Sequence, residues 1–562
     1  MINRNSNSNS KDFRTHGEPI IIWPTPSNPM HPTPCLCCRR GARFFASASG
    51  ATPVAGNAPP VAGKVKRTKI HRFAPPPAAS EFPSWAFDRV GKAPEEGGAL
   101  NFELVYQSKR SRARVGRIHT PHGIVDTPGF VSVGTNGSLK AVDHRAGDDA
   151  GCQLQFSNTY HLLLQPGPEL IAKAGGLHKF TGRDRPIITD SGGFQVFSLN
   201  SSSDSVDEIN MKMRASDKKG RRPNSVLKIQ EEGVTFKSYV DGRRIHLTPE
   251  SSVLAQKAFA SDICIPLDEL HPYNVTAEQL KQSVFMTHRW EARSLKQHLS
   301  DVQQQAMYCV LHGGVDKAMR AHSAEYLTSL PFDGLAVGGS LGKDRDEMMS
   351  VLADLMPLLP QEKPVHLLGI ADVLSIARSV PLGIDTFDSC YPTRMARHGQ
   401  VHVHVQPGSA AAMTASASGT GAGPDDPSST GLTGMVAASA VADPSLQRVV
   451  GRLDMRKAKH RDDFTPLQED CQCHTVSVLG DAPCLSVPHM VLFRLTVVYP
   501  SFLFFLCTRR FVSQCRNYSK AYLRHLLKAH EPTAHTLLSI HNLHFMNEHM
   551  RLWRALILEG LV

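Results

Sequence analysis

Gly383-Ile-Asp-Thr-Phe-Asp-Ser-Cys-Tyr-Pro-Thr-Arg-Met-Ala-Arg-His-Gly399 holds both the clue to the fold and the densest chemistry of the chain. Ile384 to Asp388 is a short strand-like approach that delivers a carboxylate, and Arg394 and Arg397 follow three residues apart after Pro392. Guanidiniums so spaced can face one way from a turn and hold a polyanion by paired hydrogen bonds. Working outward, five more apolar runs share the plan: Arg185-Pro-Ile-Ile-Thr-Asp190, Asp262-Ile-Cys-Ile-Pro-Leu-Asp268, Met307-Tyr-Cys-Val-Leu-His312, Leu335-Ala-Val-Gly-Gly339 and Val365-His-Leu-Leu-Gly369. Between them, Thr276 to Ser300, Asp316 to Ser329 and Arg345 to Leu359 repeat Leu, Val and Met at three- and four-residue spacing, which predicts helices. This alternation from Phe102 to Gly399 is the rhythm of parallel β/α units. The expected class is α/β, a (β/α)8 TIM-type barrel whose strand ends meet at one rim, with an open doubly wound sheet as the alternative.

A chain of 562 residues accommodates such a domain with additions. The net charge of +11 is uneven: the first 90 residues hold twelve Lys/Arg against four Asp/Glu, so it is weak evidence for nucleic acid binding. Twelve cysteines in this length are no disulfide scaffold, and their grouping at Cys35/Cys37/Cys38 and Cys471/Cys473/Cys515 fits a reducing compartment or metal ligation. Residues 1–95 lack periodicity, and their Ser, Pro, Ala and Arg content fits an organelle transit segment, mitochondrial or plastid, or else an unprocessed tail on a cytoplasmic protein. The catalytic barrel is expected over 96–405. Residues 406–446 are a low-complexity insertion too poor in large apolar groups to fold. The remainder, 447–562, would form a C-terminal subdomain and the last barrel elements. Within it, Val491 to Cys507 is apolar but broken by Arg494 and Pro500, so no membrane span is expected.

Cys471, Cys473, Cys515 and His541 supply three thiolates and an imidazole, the tetrahedral donor set of structural zinc. Removing Val476 to Gln514 joins Cys471-Gln-Cys-His-Thr475 to Cys515-Arg-Asn-Tyr-Ser and restores a C-x-C-x-x-C cluster. The 39 residues therefore read as a retained intron translated in frame, and a cDNA that keeps those codons would sink the idea. With them in place, His474, Cys484 and Cys507 are alternative ligands. His402 and His404 share one face of a strand and are expected as a solvated surface pair.

The run 383–399 closely resembles the signature of tRNA-guanine transglycosylases, and segments from about Gly116 to Leu552 match that family in order. The resemblance implies an irregular β/α barrel with a zinc-binding subdomain near the C-terminus, held by the Cys471, Cys473, Cys515 and His541 set. By the same resemblance Asp388 is the nucleophile. Asp190, in Asp190-Ser-Gly-Gly-Phe-Gln195, is the acid-base residue, Phe194 stacks on the base, and Asn158-Thr-Tyr-His161 is the adjacent loop. Asp268 recognises a guanine-like edge, and Ser191, His312, Gly339 and Leu368 complete the base pocket. Arg394 and Arg397 would hold a U-G-U anticodon loop. The implied reaction replaces guanine at the wobble position of GUN anticodons in tRNA with queuine or a related 7-deazaguanine, by a homodimer or a heterodimer with a silent paralogue.

Three positions depart from the family's common pattern. His312 stands where glutamine is usual, and Gly342 and Asp344 stand where a bulkier residue and a glutamate are usual in bacterial members. The glycine makes room, as in enzymes that take queuine over its smaller aminomethyl precursor. Rival readings are a catalytically silent tRNA-binding subunit, against which all three of Asp190, Asp268 and Asp388 argue, and a generic barrel glycoside hydrolase, in which Pro392-Thr-Arg394 and the cysteines have no place.

Overall fold

The computed structural model describes residues 73–198, 226–405, 449–468, 471, 473, 475–476, 512–513 and 517–562. Strands β1 (Asn101–Gln107), β2 (Arg114–Thr120) and β3 (Gly123–Thr127) form an antiparallel sheet ahead of the main architecture. The strands β4 (Gly129–Val133), β5 (Leu154–Ser157) and β6 (Ile187–Thr189) are followed by a second antiparallel sheet of β7 (Val226–Gln230), β8 (Gly233–Lys237) and β9 (Arg244–Leu247). Then come β10 (Ile263–Cys264), β11 (Ala306–Leu311), β12 (Gly334–Val337), β13 (Val365–Leu367) and β14 (Thr386–Ser389). The eight strands β4–β6 and β10–β14 pair in parallel in chain order, and β6 against β10 and β14 against β4 close them into a barrel.

Side-chain alternation explains both layers of the core. In β11, Ala306, Tyr308 and Val310 pack inside with Val131, Phe156, Ile188 and Ala336, whereas Met307, Cys309 and Leu311 pack outward on the helices. Leu100, Phe102, Ile118 and Val125 join the inner cluster, so the β1–β3 sheet seals the end of the barrel where the strands begin. The next inward positions beyond Val310 and Ala336 are His312 and Gly338, at the opposite mouth.

The helices start where the sequence provides caps. Thr276 and Gln279 exchange side-chain and backbone hydrogen bonds at the head of Ala277–Leu299. Asp316, Asp344 and Asp372 cap Lys317–Thr328, Arg345–Leu355 and Val373–Ser379, each worth about 1 kcal/mol. All six expected apolar runs contain barrel strands, and the expected helices begin and end within a residue or two of their caps, except that the third tightens into a 3-10 turn at Met356–Leu358.

After β14 the chain forms the helix Tyr391–Arg397, the antiparallel pair β15 (Gln400–Val405) and β16 (Val449–Asp454), the two-residue strands β17 (Thr475–Val476) and β18 (Val512–Ser513), and the helix Lys520–Lys528. The long helix Pro532–Leu558 then returns to the barrel, burying Leu543, Met546, Met550 and Trp553 in its outer core. The C-terminal subdomain is thus spliced between the eighth strand and the helix that covers it. The expected disordered boundary at residue 95 moves: Phe82 and Ala86 enter the outer core and Arg89 pairs with buried Asp333 at 3.3 Å. These apolar and charged anchors lie within a segment otherwise rich in Pro and Ala, which hid them. The low-complexity stretch 406–446, the apolar run Val491 to Cys507 and most of the presumed transit segment lie outside the described residues. Among the described residues no helix is long and apolar enough to cross a membrane.

Candidate active site

The barrel order brings the strand-end residues to one rim in the sequence Asp190, Asp268, His312, Gly339, Leu368 and Asp388. Asp388 is buried on β14, and both of its hydrogen bonds fall on Oδ1, from the Gly369 backbone N–H at 2.6 Å and from His366 Nε2 at 3.0 Å. The parallel register sets His366 of β13 beside Thr386, whose Oγ1 lies 2.8 Å from His366 Nδ1. An ionised carboxylate only accepts, so the geometry selects the tautomer with the proton on Nε2 and leaves Nδ1 to accept from the threonine hydroxyl.

Asp190 lies just past β6. Its Oδ2 accepts from Asn158 Nδ2 and Gln195 Nε2, each at 2.8 Å, and its Oδ1 accepts from the Thr159 N–H at 2.7 Å. Burial nonetheless pushes the Asp190 carboxyl up to about 6, against the pull of those donors. Thus two carboxylates share one mouth, and one of them is poised to exchange a proton near neutrality. Asp268 Oδ2 lies 2.8 Å from Nε2 of the fully buried His312, so the histidine expected to line the base pocket is engaged on the neighbouring carboxylate. Gly339 has φ 72°, and a Cβ there would stand 2.8 Å from His312 Nδ1. Ser191 is buried with its Oγ accepting from Gly193, Phe194 is half-buried in the first turn of Gly193–Ser198, and Leu368 packs at the edge of the inner core. Gln195 Oε1 and His312 Nδ1 are buried polar atoms without a hydrogen-bond partner among the described residues, which fits a cavity built for a polar ligand.

The room expected at Gly342 has a local explanation: the residue has φ 123°, and a Cβ would lie 2.9 Å from Glu347 Oε2. Asp344 is occupied as a helix cap, accepting from Glu347 N at 2.9 Å.

Arg394 and Arg397 occupy the last turn of Tyr391–Arg397 and are half-buried. Burial, and secondarily the charge of Arg394, lowers the Arg397 guanidinium from its usual range. This helix is pinned from the C-terminal side, because Asn542 Nδ2 donates to the carbonyls of Pro392 and Gln400, both at 3.0 Å.

The residue before Asn542 belongs to the metal cluster. The ligand atoms of buried Cys471, Cys473 and His541 lie within 4.8 Å of one another. His541 Nε2 donates to the His402 carbonyl at 2.6 Å, which turns Nδ1 toward Cys471 Sγ at 3.6 Å. Two thiols and an oriented imidazole fit a thiophilic ion such as zinc. Cys515 lies outside the described residues, two positions beyond Ser513, just as Cys473 lies two before Thr475, and β17 pairs Thr475 with Ser513. Among the described residues, Cys152, Cys264 and Cys309 are buried free thiols. His402 and His404 do share a face, but they stack on Phe545 at 5.1 and 4.3 Å, and His402 is buried. The expected solvated pair is corrected by the final helix that covers it.

A second His/Asp group, His122, His178 and Asp262, lies at the closed end of the barrel. Its imidazoles are stacked 3.6 Å apart at 12°, so their in-plane lone pairs do not converge on one ion. Asp262 instead bridges them, and its Oδ2 accepts from Ile187 N at 2.7 Å, fastening the start of β6.

The family model described as queuine tRNA-ribosyltransferase matches residues 108–479 and 512–562. The chain belongs to the queuine tRNA-ribosyltransferase family. Membership makes it a transferase of tRNA modification, a tRNA-guanine transglycosylase, and the barrel is the fold expected for one. A queuine tRNA-ribosyltransferase of Protochlamydia amoebophila is 45% identical over 463 residues, covering 82% of this chain and 96% of the relative. Those of Chlamydia felis and Chlamydia pneumoniae are 41% identical over 461 residues, covering 82% of this chain and 99% of each relative. These sources overturn the organelle destination expected from the first 90 residues: the relatives are enzymes of bacteria, which contain neither mitochondria nor plastids, and they point to the cytoplasm. The unmatched residues 480–511 fall inside the 476–514 segment singled out from its flanks.

Sequence reasoning assigned no role to His366, Thr386, Asn158, Gln195 or Asn542. The available signal for the first two was period-two alternation, which sets His366 in line with Leu368 and Thr386 in line with Asp388.

Proposed function

We propose that this chain replaces guanine at the wobble position of GUN anticodons with queuine or a related 7-deazaguanine, through a covalent bond between Asp388 and the ribose. The observation that carries this reading is the Asp388 carboxylate, held at one oxygen by two donors and without a partner at the other among the described residues, at a mouth shared with the proton-exchanging Asp190. Asp388 attacks C1′ of the nucleoside, Asp190 protonates the departing guanine, and the incoming base reverses both steps. Asp268, oriented by His312, accepts from the N–H edge of the base, with Ser191, Phe194, Gly339 and Leu368 around it. The target base leaves its stack to enter, and Arg394 and Arg397 hold the flanking anticodon phosphates.

Cys471, Cys473 and His541, with Cys515, would hold a structural zinc ion, which when bound supplies a closed tetrahedral cross-link and no catalysis. His541 and Asn542 would transmit that fixity to the arginine-bearing helix through His402 and Pro392. We read Val476 to Gln514 as extraneous to the family core, in keeping with the gap in the family match and with the β17/β18 ladder that returns the chain to its point of departure. The test is exchange of radiolabelled guanine, and separately of queuine, into a G-U-N anticodon tRNA. The chain lacking Val476 to Gln514 is expected to exchange guanine and to retain zinc by elemental analysis. Failure of both this form and the full chain with zinc supplied would overturn the reading.

A pH dependence follows from Asp190. Its acid form is present below about 6, so release of guanine weakens as pH rises through about 6. Asn158→Ala removes a donor that favours the carboxylate and should move the inflection of kcat/KM to higher pH. An unmoved inflection would take the acid role away from Asp190.

A further inference from the structure

His366 is fully buried inside the barrel, and no step described so far uses it. Three contacts fix it: Thr386 Oγ1 on Nδ1 at 2.8 Å, Asp388 Oδ1 at 3.0 Å from Nε2, and the ring of Phe156 stacked at a centroid distance of 6.1 Å. Because the Gly369 N–H is aimed at the same oxygen, both donors converge on Asp388 Oδ1, and Oδ2 is the oxygen left to bond to carbon.

We propose that His366 is a positioning residue that governs breakdown of the Asp388–ribose bond, an inference that rests on the covalent exchange proposed above. In the first half-reaction an Oδ2 lone pair forms the bond to C1′ while the C1′–N9 bond breaks, its electron pair leaving with guanine and the proton coming from Asp190. The ester so formed leaves Oδ1 as a carbonyl oxygen with little charge. In the second half-reaction the N9 pair of the incoming base bonds to C1′, its N9 proton passes to Asp190, and the C1′–Oδ2 pair returns to the carboxylate. Charge then grows again on Oδ1, where His366 Nε2–H and Gly369 N–H are already aimed, as donors are at an oxyanion. The histidine therefore favours departure of Asp388 over its attack, and Thr386 keeps the proton on the nitrogen that matters.

The experiment follows the adduct directly. Enzyme and tRNA are mixed without added base, the protein–RNA adduct is quantified by denaturing electrophoresis, and a chase of guanine gives its breakdown rate. His366→Phe should slow the chase about tenfold or more, the usual worth of a hydrogen bond to a charged group, while adduct formation changes less. His366→Gln, which keeps a donor, should restore most of the rate, and Thr386→Val should shift the partition the same way by a smaller factor. A merely structural role would lower formation and breakdown together, and that parallel loss, or an unchanged chase in His366→Phe, overturns the assignment. If His366→Phe fails to fold, Thr386→Val and His366→Gln decide by the same partition. Absence of any adduct with the unaltered enzyme would instead overturn the covalent reading beneath it.

Discussion

Asp388→Asn is expected to lower guanine exchange by at least about 10^4-fold while leaving the chain folded. Asparagine has nearly the shape of aspartate, and its carbonyl oxygen can still accept from the Gly369 N–H and from His366 Nε2, the two bonds that hold the carboxylate in place. What it loses is the anionic Oδ2, so neither a bond to C1′ nor electrostatic relief of the cationic ribose remains. The melting temperature should stay within a few degrees of the unaltered chain, because nothing apolar is exposed and no buried donor is orphaned. Exchange of radiolabelled guanine into tRNA, with melting followed in parallel, reads both effects. Residual exchange within tenfold of the unaltered enzyme would remove Asp388 from the chemistry and favour direct displacement. Loss of folding would show that the site's charge was structural.

The architecture was legible because most barrel strands run into a polar or glycine residue and the three helices expected from the sequence open on the capping side chains Thr276, Asp316 and Asp344. Leu335-Ala-Val-Gly-Gly339 is a strand and its rim, and Asp316 and Thr276 mark helix starts one residue ahead. Two of the eight strands carry no such signal. In Gly129–Val133 and Leu154–Ser157, the polar side chains of Ser132, Gln155 and Ser157 are buried and interrupt the apolar run that marks the other strands. Asp190, Asp268 and Asp388 could be found because a carboxylate after a strand is a local pattern. His366 could not be found that way, since its partners come from the neighbouring strand and exist only once the parallel register is set. Arg89 and Phe82 were missed for the related reason that their partners, Asp333 and the outer core, are remote in sequence. At Gly342 the sequence could not show that the backbone takes a positive φ, 123°, which favours glycine independently of any space it leaves for the base.

A larger stability effect is expected at Asp385. This residue is fully buried between β13 and β14, where its oxygens accept from Arg114 Nε at 2.9 Å and Nη2 at 2.5 Å, and from the Val365 N–H at 2.7 Å. Arg114, on β2, also donates to the carbonyls of Gln361 and Lys363 at 2.6 and 2.9 Å and lies 4.8 Å above the Phe102 ring. The pair therefore welds the sheet that seals the barrel to the two strands carrying His366 and Asp388. Asp385→Ala leaves a guanidinium buried without its counter-ion and Val365 N–H without an acceptor, and the expected cost is about 3–5 kcal/mol in denaturant unfolding. The doubly substituted Arg114→Met/Asp385→Leu chain should recover a large part of it, because no buried charge is then left unpaired. In the single variant, guanine exchange should fall beyond what the folded fraction accounts for, since Val365 opens β13 and Asp385 lies three residues ahead of Asp388. A loss below about 1 kcal/mol would place the pair among screened surface contacts, where its burial gives no reason to put it.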